Sequence, residues 1–175
     1  MKNESFRKIV STKRIKIGKN ESSRVLINKN KMLSEYNGGS GVKTGYTKKC
    51  GRCLVSSANR NGFELICVVL NCAPMFERSK ELLDNAYSKY DNYLLASADN
   101  SVGEVVSKKG EVLPVYVERD LYYPLTKSEQ QKLKKQLKPY DSKQILNEFG
   151  QCCGTIEFFI ENHLLFCEKI YTILE

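Results

Sequence analysis

The 175 residues contain no tryptophan and a single histidine, His163. A histidine metal site or a Ser-His-Asp triad would have to be built on that one side chain, which argues against both. No apolar run approaches the roughly 18–20 residues of a membrane-spanning helix. The N-terminal MKNESFRKIVSTKRIK lacks the apolar stretch of a secretory signal. The C-terminal EKIYTILE is not a basic amphipathic helix that would lie on a membrane. Read as written, with no signal peptide or membrane anchor, the chain would be cytoplasmic.

A disulfide framework is also missing. Seven cysteines occur, at 50, 53, 67, 72, 152, 153 and 167. The number is odd and the spacings do not repeat, which suits a reducing environment. Cys67 lies in the apolar run LICVVL and Cys167 in LLFCEKI, so both are expected to act as small core residues. Cys50-Gly-Arg-Cys53 has the spacing of half a zinc site, but a second pair at similar spacing is missing. A redox C-x-x-C would open a helix, whereas a strand-like run follows Cys53. Neither metal nor cofactor is expected.

What is present is an apolar content of 41% and a net charge of +8, from 28 Lys+Arg against 20 Asp+Glu. That is enough apolar material for a real core. The basic residues are spread along the whole chain, with small runs at 13–19 and 127–138. Neither run is interleaved with aromatics as a single-strand groove would be, so nucleic acid is not expected as a partner.

Residues 8–17, KIVSTKRIKI, read as a strand and 24–36 as loop with short turns. Residues 41–47 read as a strand after Gly38-Gly39-Ser40-Gly41. Residues 52–58 and 63–71 read as a hairpin closed at Asn61-Gly62, because Asn-Gly tolerates the positive φ angles of a tight turn. The continuous apolar ELICVVL implies a strand covered on both faces. Residues 75–90 have helical spacing, with Phe76, Leu82, Leu83, Ala86, Tyr87 and Tyr90 on one stripe.

The texture changes after Tyr93. Residues 94–101 read as a linker, and 102–175 as a small, mainly β domain. Within it, Lys108-Lys109-Gly110 makes a turn. SEQQKLKKQLK reads as a helix with Thr126 and Glu129 as a capping box. GQCCGTIEFFIENHLLFCEKIYTIL reads as strands around a Glu161-Asn162 turn.

The most informative stretch is GSGVKTGYTKKCGRCLVSSANRNG, residues 39–62. It places Lys43, Thr44 and Gly45 at the start of a sheet, after a glycine-rich loop and before a hairpin and a helix. In that context the triplet resembles the third motif of the serine acyl-transfer enzymes that attack D-alanyl peptides, and the resemblance implies these roles for its residues. A lysine ammonium supplies a positive field for the nucleophile and the terminal carboxylate, and a threonine hydroxyl donates to that carboxylate. A glycine leaves room for an extended peptide along the strand edge. The backbone N–H of Tyr46 would be offered to the developing oxyanion.

The run KTGYTKKCGRCLVSSANRNGFELICVVLNC, followed by Arg78-Ser79-Lys80-Glu81-Leu82-Leu83, resembles the serine D-alanyl-D-alanine carboxypeptidases of the low-molecular-weight penicillin-binding protein family. SFRKIVSTKRIKI and RVLINKNKMLSEYNGGSGVKTG are similar to it as well, and GQCCGTIEFFIENHLLF resembles a strand pair of its β-rich C-terminal domain. The resemblance covers nearly the whole chain. It implies an α+β fold: a partial transpeptidase/β-lactamase-like antiparallel sheet with its C-terminal helix, residues 1–93, then the linker 94–101 and the accessory domain 102–175. It also implies a cell-envelope location, and as partner a peptidoglycan stem peptide ending in D-Ala-D-Ala. A class A β-lactamase is disfavoured, because a whole β domain follows the motif.

The family uses three motifs, Ser-x-x-Lys, Ser-x-Asn and Lys-Thr-Gly, and only 42 residues precede Lys43. Ser5-Phe6-Arg7-Lys8 has the first pattern, but SFRKIVSTK resembles the segment that follows the family's second motif and leads into the strand before Lys-Thr-Gly. Ser97-Ala98-Asp99-Asn100 lies on the wrong side of the motif. The expectation is the C-terminal half of a carboxypeptidase, with Lys43 as an electrostatic group, Thr44, Gly45 and Tyr46 as substrate-binding, and the nucleophile absent from these residues. Alone it would be inactive, would take β-lactams only with the missing half supplied, and would self-associate through an uncovered sheet face. The alternative is a non-catalytic cell-envelope binding or interaction protein on the same scaffold.

Overall fold

The structure, a computed structural model, describes residues 1–18, 23–146 and 148–172. It divides into two compact units, Met1–Lys89 and Tyr90–Glu175. The first holds helix α1 (Glu4–Val10), strands β1 (Arg14–Ile17) and β2 (Arg24–Ile27), a helical turn α2 (Met32–Glu35), strands β3 (Gly39–Thr47), β4 (Gly51–Arg60) and β5 (Phe63–Val69), and helix α3 (Met75–Lys89). The second holds β6 (Asp91–Ala96), β7 (Gly103–Val106), β8 (Val112–Val115), β9 (Leu121–Leu125), helix α4 (Lys127–Lys132), β10 (Leu133–Pro139), a 3-10 turn (Ser142–Gln144), β11 (Cys152–Ile160) and β12 (His163–Tyr171). The expected α+β class holds, with an antiparallel sheet and its helix followed by a β-rich unit.

In the first unit β3, β4 and β5 form an antiparallel meander in that order. Asn61 and Gly62 both have positive φ, 51° and 84°, and close the two-residue turn that pairs Arg60 with Phe63. One face of the sheet packs on α3: Leu54, Ala58, Cys67 and Val69 meet Met75 and Leu83, with Met32 and Tyr36 beneath. The helix stripe is not quite the expected one. Met75, Ser79 and Leu83 are buried, whereas Leu82 is 36% exposed. A run Met75/Ser79/Leu83/Tyr87 at four-residue spacing centres the face, and Leu82 falls to its side.

Several expectations are corrected. Residues 4–10 are helical, because Asn3 accepts the Phe6 N–H at 2.8 Å and so caps a turn that hydropathy alone reads as strand. Only 14–17 of the expected strand is extended, paired with β2, which itself lies in the segment read as loop. ELICVVL is covered on one face only: Ile66, Val68 and Leu70 are 58%, 55% and 72% exposed. The unit boundary falls at 89/90, and β6 runs through the start of the expected linker because Asp91–Ala96 pairs with β9. Nor is the charge spread evenly. Met1–Lys89 carries 18 Lys+Arg against 7 Asp+Glu, and Tyr90–Glu175 carries 10 against 13.

In the second unit the core gathers Val115, Val117, Ile145, Cys153, Ile156, Phe158 and Ile170. The capping box is formed: the Glu129 N–H donates to Thr126 Oγ1 and the Thr126 N–H to the Glu129 carboxylate. The helix stops at Lys132, however, and Leu133–Pro139 becomes a strand paired with β11. Leu133 and Leu137 alternate onto the core, which tertiary packing rewards over helix propensity. The turns at Lys108-Lys109-Gly110 and Glu161-Asn162 form as expected, with Gly110 and Glu161 at positive φ. Cys167 is exposed, contrary to expectation. Cys153 takes the core position instead, and burial pushes its thiol up to about 11.

The two leucines of α3 give a direct check on packing. Leu83→Ala should lower unfolding stability by about 2–4 kcal/mol, and Leu82→Ala by less than about 1 kcal/mol. Urea denaturation of the two variants reads the difference; equal losses would show that the helix face is misassigned.

Candidate active site

Lys43, Thr44 and Gly45 lie on β3, which pairs with β4 in the register Lys43↔Val55, Thr44↔Leu54, Gly45↔Cys53 and Tyr46↔Arg52. Among the described residues no strand pairs with the other side of β3. Two hydrogen bonds at opposite ends of β4 fix which way its backbone points. The Asn59 N–H donates to Gly38 O at 2.9 Å, on the β3 side, and the Cys72 N–H donates to Arg52 O at 2.8 Å, on the β5 side. Backbone direction alternates along a strand, so Cys53 and Val55 face β3 and exchange hydrogen bonds with Gly45 and Lys43. The N–H and C=O of Thr44 and Tyr46 therefore point outward, away from the sheet.

Side chains alternate as well. Lys43 and Gly45 share the face of Val55 and Val68, while Thr44 shares the α3 face with Leu54. Lys43 is exposed, and its ammonium donates to the outward carbonyl of Thr44. Thr44 is half-buried. Tyr46 is 68% exposed, with the Arg52 guanidinium 5.8 Å from its ring centre. On the α3 face a depression of about 310 Å³ is lined by Lys29, Thr44, Gly45, Tyr46, Arg52, Met75 and Phe76.

The upstream end of β3 is held rigidly. The Gly39 N–H donates to Tyr36 O at 3.0 Å, and Arg60 Nε donates to Asn37 O at 3.3 Å. The Arg60 guanidinium bonds Asp84 at 2.9 Å and lies 4.9 Å and 4.4 Å from the Tyr36 and Tyr87 ring centres. Tyr36 donates its hydroxyl to Asp84 at 2.8 Å. Burial, then that hydrogen bond, raises the Tyr36 phenol well above its ordinary range, and burial raises Tyr87, so both remain neutral phenols at neutral pH.

Ser5 and Lys8 fall one turn apart on α1, which leads into strand β1. Both are exposed. Arg7 bonds Glu64 at 3.1 Å and so holds the start of α1 over the Asn59–Glu64 end of the sheet, and the other end of the helix, at Val10, meets Gly41. Ser5 therefore lies at the end of α1 away from Lys43. Ser40-x-x-Lys43 also has the pattern, but the Ser40 hydroxyl is bonded to Ser57 Oγ at 2.7 Å and the Lys43 ammonium to Thr44 O. Cys50 and Cys53 are free thiols at the β3–β4 turn. Sequence reasoning missed Lys29, Met75 and the lining role of Phe76, which are remote in sequence from the motif. Arg52 was within reach, since the register across the turn sets it opposite Tyr46.

A three-stranded antiparallel meander carries Lys-Thr-Gly on an edge strand with a helix across one face, the arrangement that the family resemblance implies. Comparisons with known proteins bear out that resemblance. Residues 1–73 match the family model for D-alanyl-D-alanine carboxypeptidase, and residues 90–173 match that for the C-terminal domain of penicillin-binding protein 5. D-alanyl-D-alanine carboxypeptidase DacF of Bacillus subtilis (strain 168) is 31% identical over 165 residues, covering 89% of this chain and 42% of that protein. Among solved structures, the D-alanyl-D-alanine carboxypeptidase DacD from Francisella tularensis superposes with a TM-score of 0.60 at 27% identity, over 86% of this chain and 39% of that one. A peptidoglycan synthesis regulatory factor (PBP3) from Streptococcus pneumoniae shares the fold, with a TM-score of 0.72 at 17% identity, over 99% of this chain and 52% of that one. Together the two family models cover most of the chain, which is thus similar to a D-alanyl-D-alanine carboxypeptidase fragment with its C-terminal domain. The chain spans about two fifths to one half of the length of these relatives.

Two glycines separate folding from site. A methyl group at Gly39 would stand 2.0 Å from Met32 O, whereas at Gly45 it would meet Cys53 Cβ at an ordinary 3.9 Å. Gly39→Ala should cost about 1–3 kcal/mol of stability, and Gly45→Ala should stay within about 0.5 kcal/mol. Thermal denaturation distinguishes them; a destabilised Gly45→Ala would mean that the glycine is there for the fold.

Proposed function

We propose that the first unit forms the Lys-Thr-Gly side of an acyl-transfer site acting on D-Ala-D-Ala termini of peptidoglycan stem peptides in the cell envelope. The observation that carries this is the outward-pointing backbone of Thr44 and Tyr46 on an unpaired strand beside an exposed Lys43. A stem peptide adds to this edge as a further strand. The Thr44 hydroxyl and the Lys43 ammonium take the terminal carboxylate. The Tyr46 N–H donates to the oxygen that becomes negative when the scissile carbonyl is attacked, where a fixed donor is worth most. Gly45 leaves the edge unobstructed. The serine nucleophile and its activating lysine come from outside these 175 residues, so the chain by itself is inactive. Removing one member of a cooperating set abolishes most of the rate.

The test is covalent labelling by a penicillin, read by intact mass. The chain alone should gain no adduct. Mixed with a polypeptide carrying the family's Ser-x-x-Lys and Ser-x-Asn motifs, a penicilloyl adduct should form on that partner, and Lys43→Ala should remove it. An adduct on the chain alone, or undiminished labelling with Lys43→Ala, would overturn the reading.

The exposed Ile66, Val68 and Leu70 lie on the face opposite α3, next to the edge of β5 that no strand pairs with among the described residues. An apolar stripe beside an open strand promotes self-association. Sedimentation velocity should show a concentration-dependent oligomer that Val68→Lys disperses; a monomer at every concentration would contradict this. Among the described residues no helix is long and apolar enough to cross a membrane.

A further inference from the structure

The first unit's chain passes from one face of its sheet to the other. Helix α1 lies on the face opposite α3. Its Arg7 bonds Glu64, which shares that face with Ile66 and Val68, and at Gly41 an added methyl group would stand 2.9 Å from Val10 Cγ2. Met32 lies on the α3 face, packed with Leu54 and Met75, and Lys29 lines the depression there beside Thr44 and Gly45. Because α1 begins near β4 and β5 and ends over β3, it sends the chain out across the β3 edge. Residues 11–28 therefore go round that edge upstream of Thr44, with the paired β1 and β2 projecting from the crossing.

The crossing is short and locked. The outgoing leg from Val10 to Lys13 spans at most about 11 Å and the returning leg from Asn28 to Asn30 about 7 Å, which leaves little slack to swing away from the strand. Thr12 is fixed to the end of α1: its N–H donates to Ile9 O at 3.2 Å and its hydroxyl to Lys8 O at 2.8 Å. The Asn28 N–H donates to Lys13 O at 2.9 Å, and its Nδ2 donates to Thr12 O at 3.1 Å. Its Oδ1 accepts the N–H of the buried Asn30 at 3.0 Å. One side chain thus ties the outgoing leg to the returning one.

A peptide added along β3 meets this crossing at one end only. With its terminal carboxylate at Thr44 and its scissile carbonyl at the Tyr46 N–H, it runs antiparallel to β3. Everything N-terminal to the scissile bond passes beyond Tyr46, toward the β3–β4 turn. A residue added after the terminal carboxylate continues the other way, at about 3.3 Å per residue, past Lys43 and Val42 to Gly41, where Val10 stands. We propose that this crossing is the stop that restricts the site to peptide ends, with Asn28 as the positioning residue that holds it. A peptide ending in D-Ala-D-Ala fits, and one that continues past the second D-alanine is excluded by backbone rather than by charge.

The inference rests on the peptide lying along β3 as proposed above, and one experiment separates the two. The isotope-labelled chain is titrated, by NMR, with acetyl-Ala-D-Ala-D-Ala, with its C-terminal amide, and with the same peptide extended by Gly-Gly. The acid and, more weakly, the amide should shift the Thr44, Gly45 and Tyr46 amides. The amide lacks the charge but not the fit, so the extended peptide should bind at least roughly tenfold more weakly than the amide. Two variants loosen the crossing: Asn28→Ala, and an insertion of Gly-Ser after Thr12 and after Asn28. With either, the gap between extended peptide and amide should narrow to roughly threefold or less while the spectrum stays dispersed; a merely structural role would weaken all three peptides alike. An extended peptide that binds the native chain as well as the amide, or a gap that survives both variants, would overturn the stop and leave the strand-edge reading standing. No shift at Thr44–Tyr46 with the acid would overturn both.

Discussion

The pairing of β3 with β4 governs the rest of the site. It engages the backbone of Lys43 and Gly45 and leaves that of Thr44 and Tyr46 facing out. A slip of one residue would reverse this, turning the Tyr46 N–H inward and moving the Lys43 side chain onto the α3 face. The sheet prevents the slip in two places. The Asn61-Gly62 turn fixes β4 against β5, and the packing of Leu54, Cys67 and Val69 on Met75 and Leu83 fixes which face is buried. Arg60, clamped between Tyr36, Tyr87 and Asp84, ties the start of β3 to α3. The buried side of the sheet thus sets the geometry of a site on its exposed edge.

The same sheet has an unfinished side. Ile66, Val68 and Leu70 alternate onto the face opposite α3 and stay exposed, and among the described residues no strand pairs with the outer edge of β5. A sequence run that is apolar at every position serves a strand covered twice. Here one cover is α3, while on the other face Met1 and α1 reach Ser57, Glu64 and Gly41 and leave Ile66, Val68 and Leu70 exposed. The relatives are about twice the length of this chain or more.

Much of this was legible in the residues. Asn61-Gly62, the Thr126/Glu129 capping box and the helix after Pro74 each rest on local chemistry and were read with the right element type. Lys43, Thr44 and Gly45 were placed on a strand for the same reason. Elements decided by tertiary contact were not legible. Helix propensity at 133–138 lost to the pairing with β11, whereas the helix over 4–10 follows from a local signal, the Asn3 cap, that hydropathy does not register. Cys167 is exposed instead of core because the phase of β12, which hydropathy does not set, turns it outward. Lys29 reaches the site through the fold of β2 and α2, and nothing near it in sequence signals that.

The central claim is that Tyr46 presents its amide outward from an edge strand. Amide hydrogen exchange across residues 42–47, followed residue by residue by NMR, tests it most directly. The structure predicts alternation: slow exchange at Lys43 and Gly45, which bond to β4, and fast exchange at Thr44 and Tyr46. A Tyr46 amide protected as well as that of Gly45 would contradict the account, because a donor already committed to the sheet has no hydrogen to offer an oxyanion.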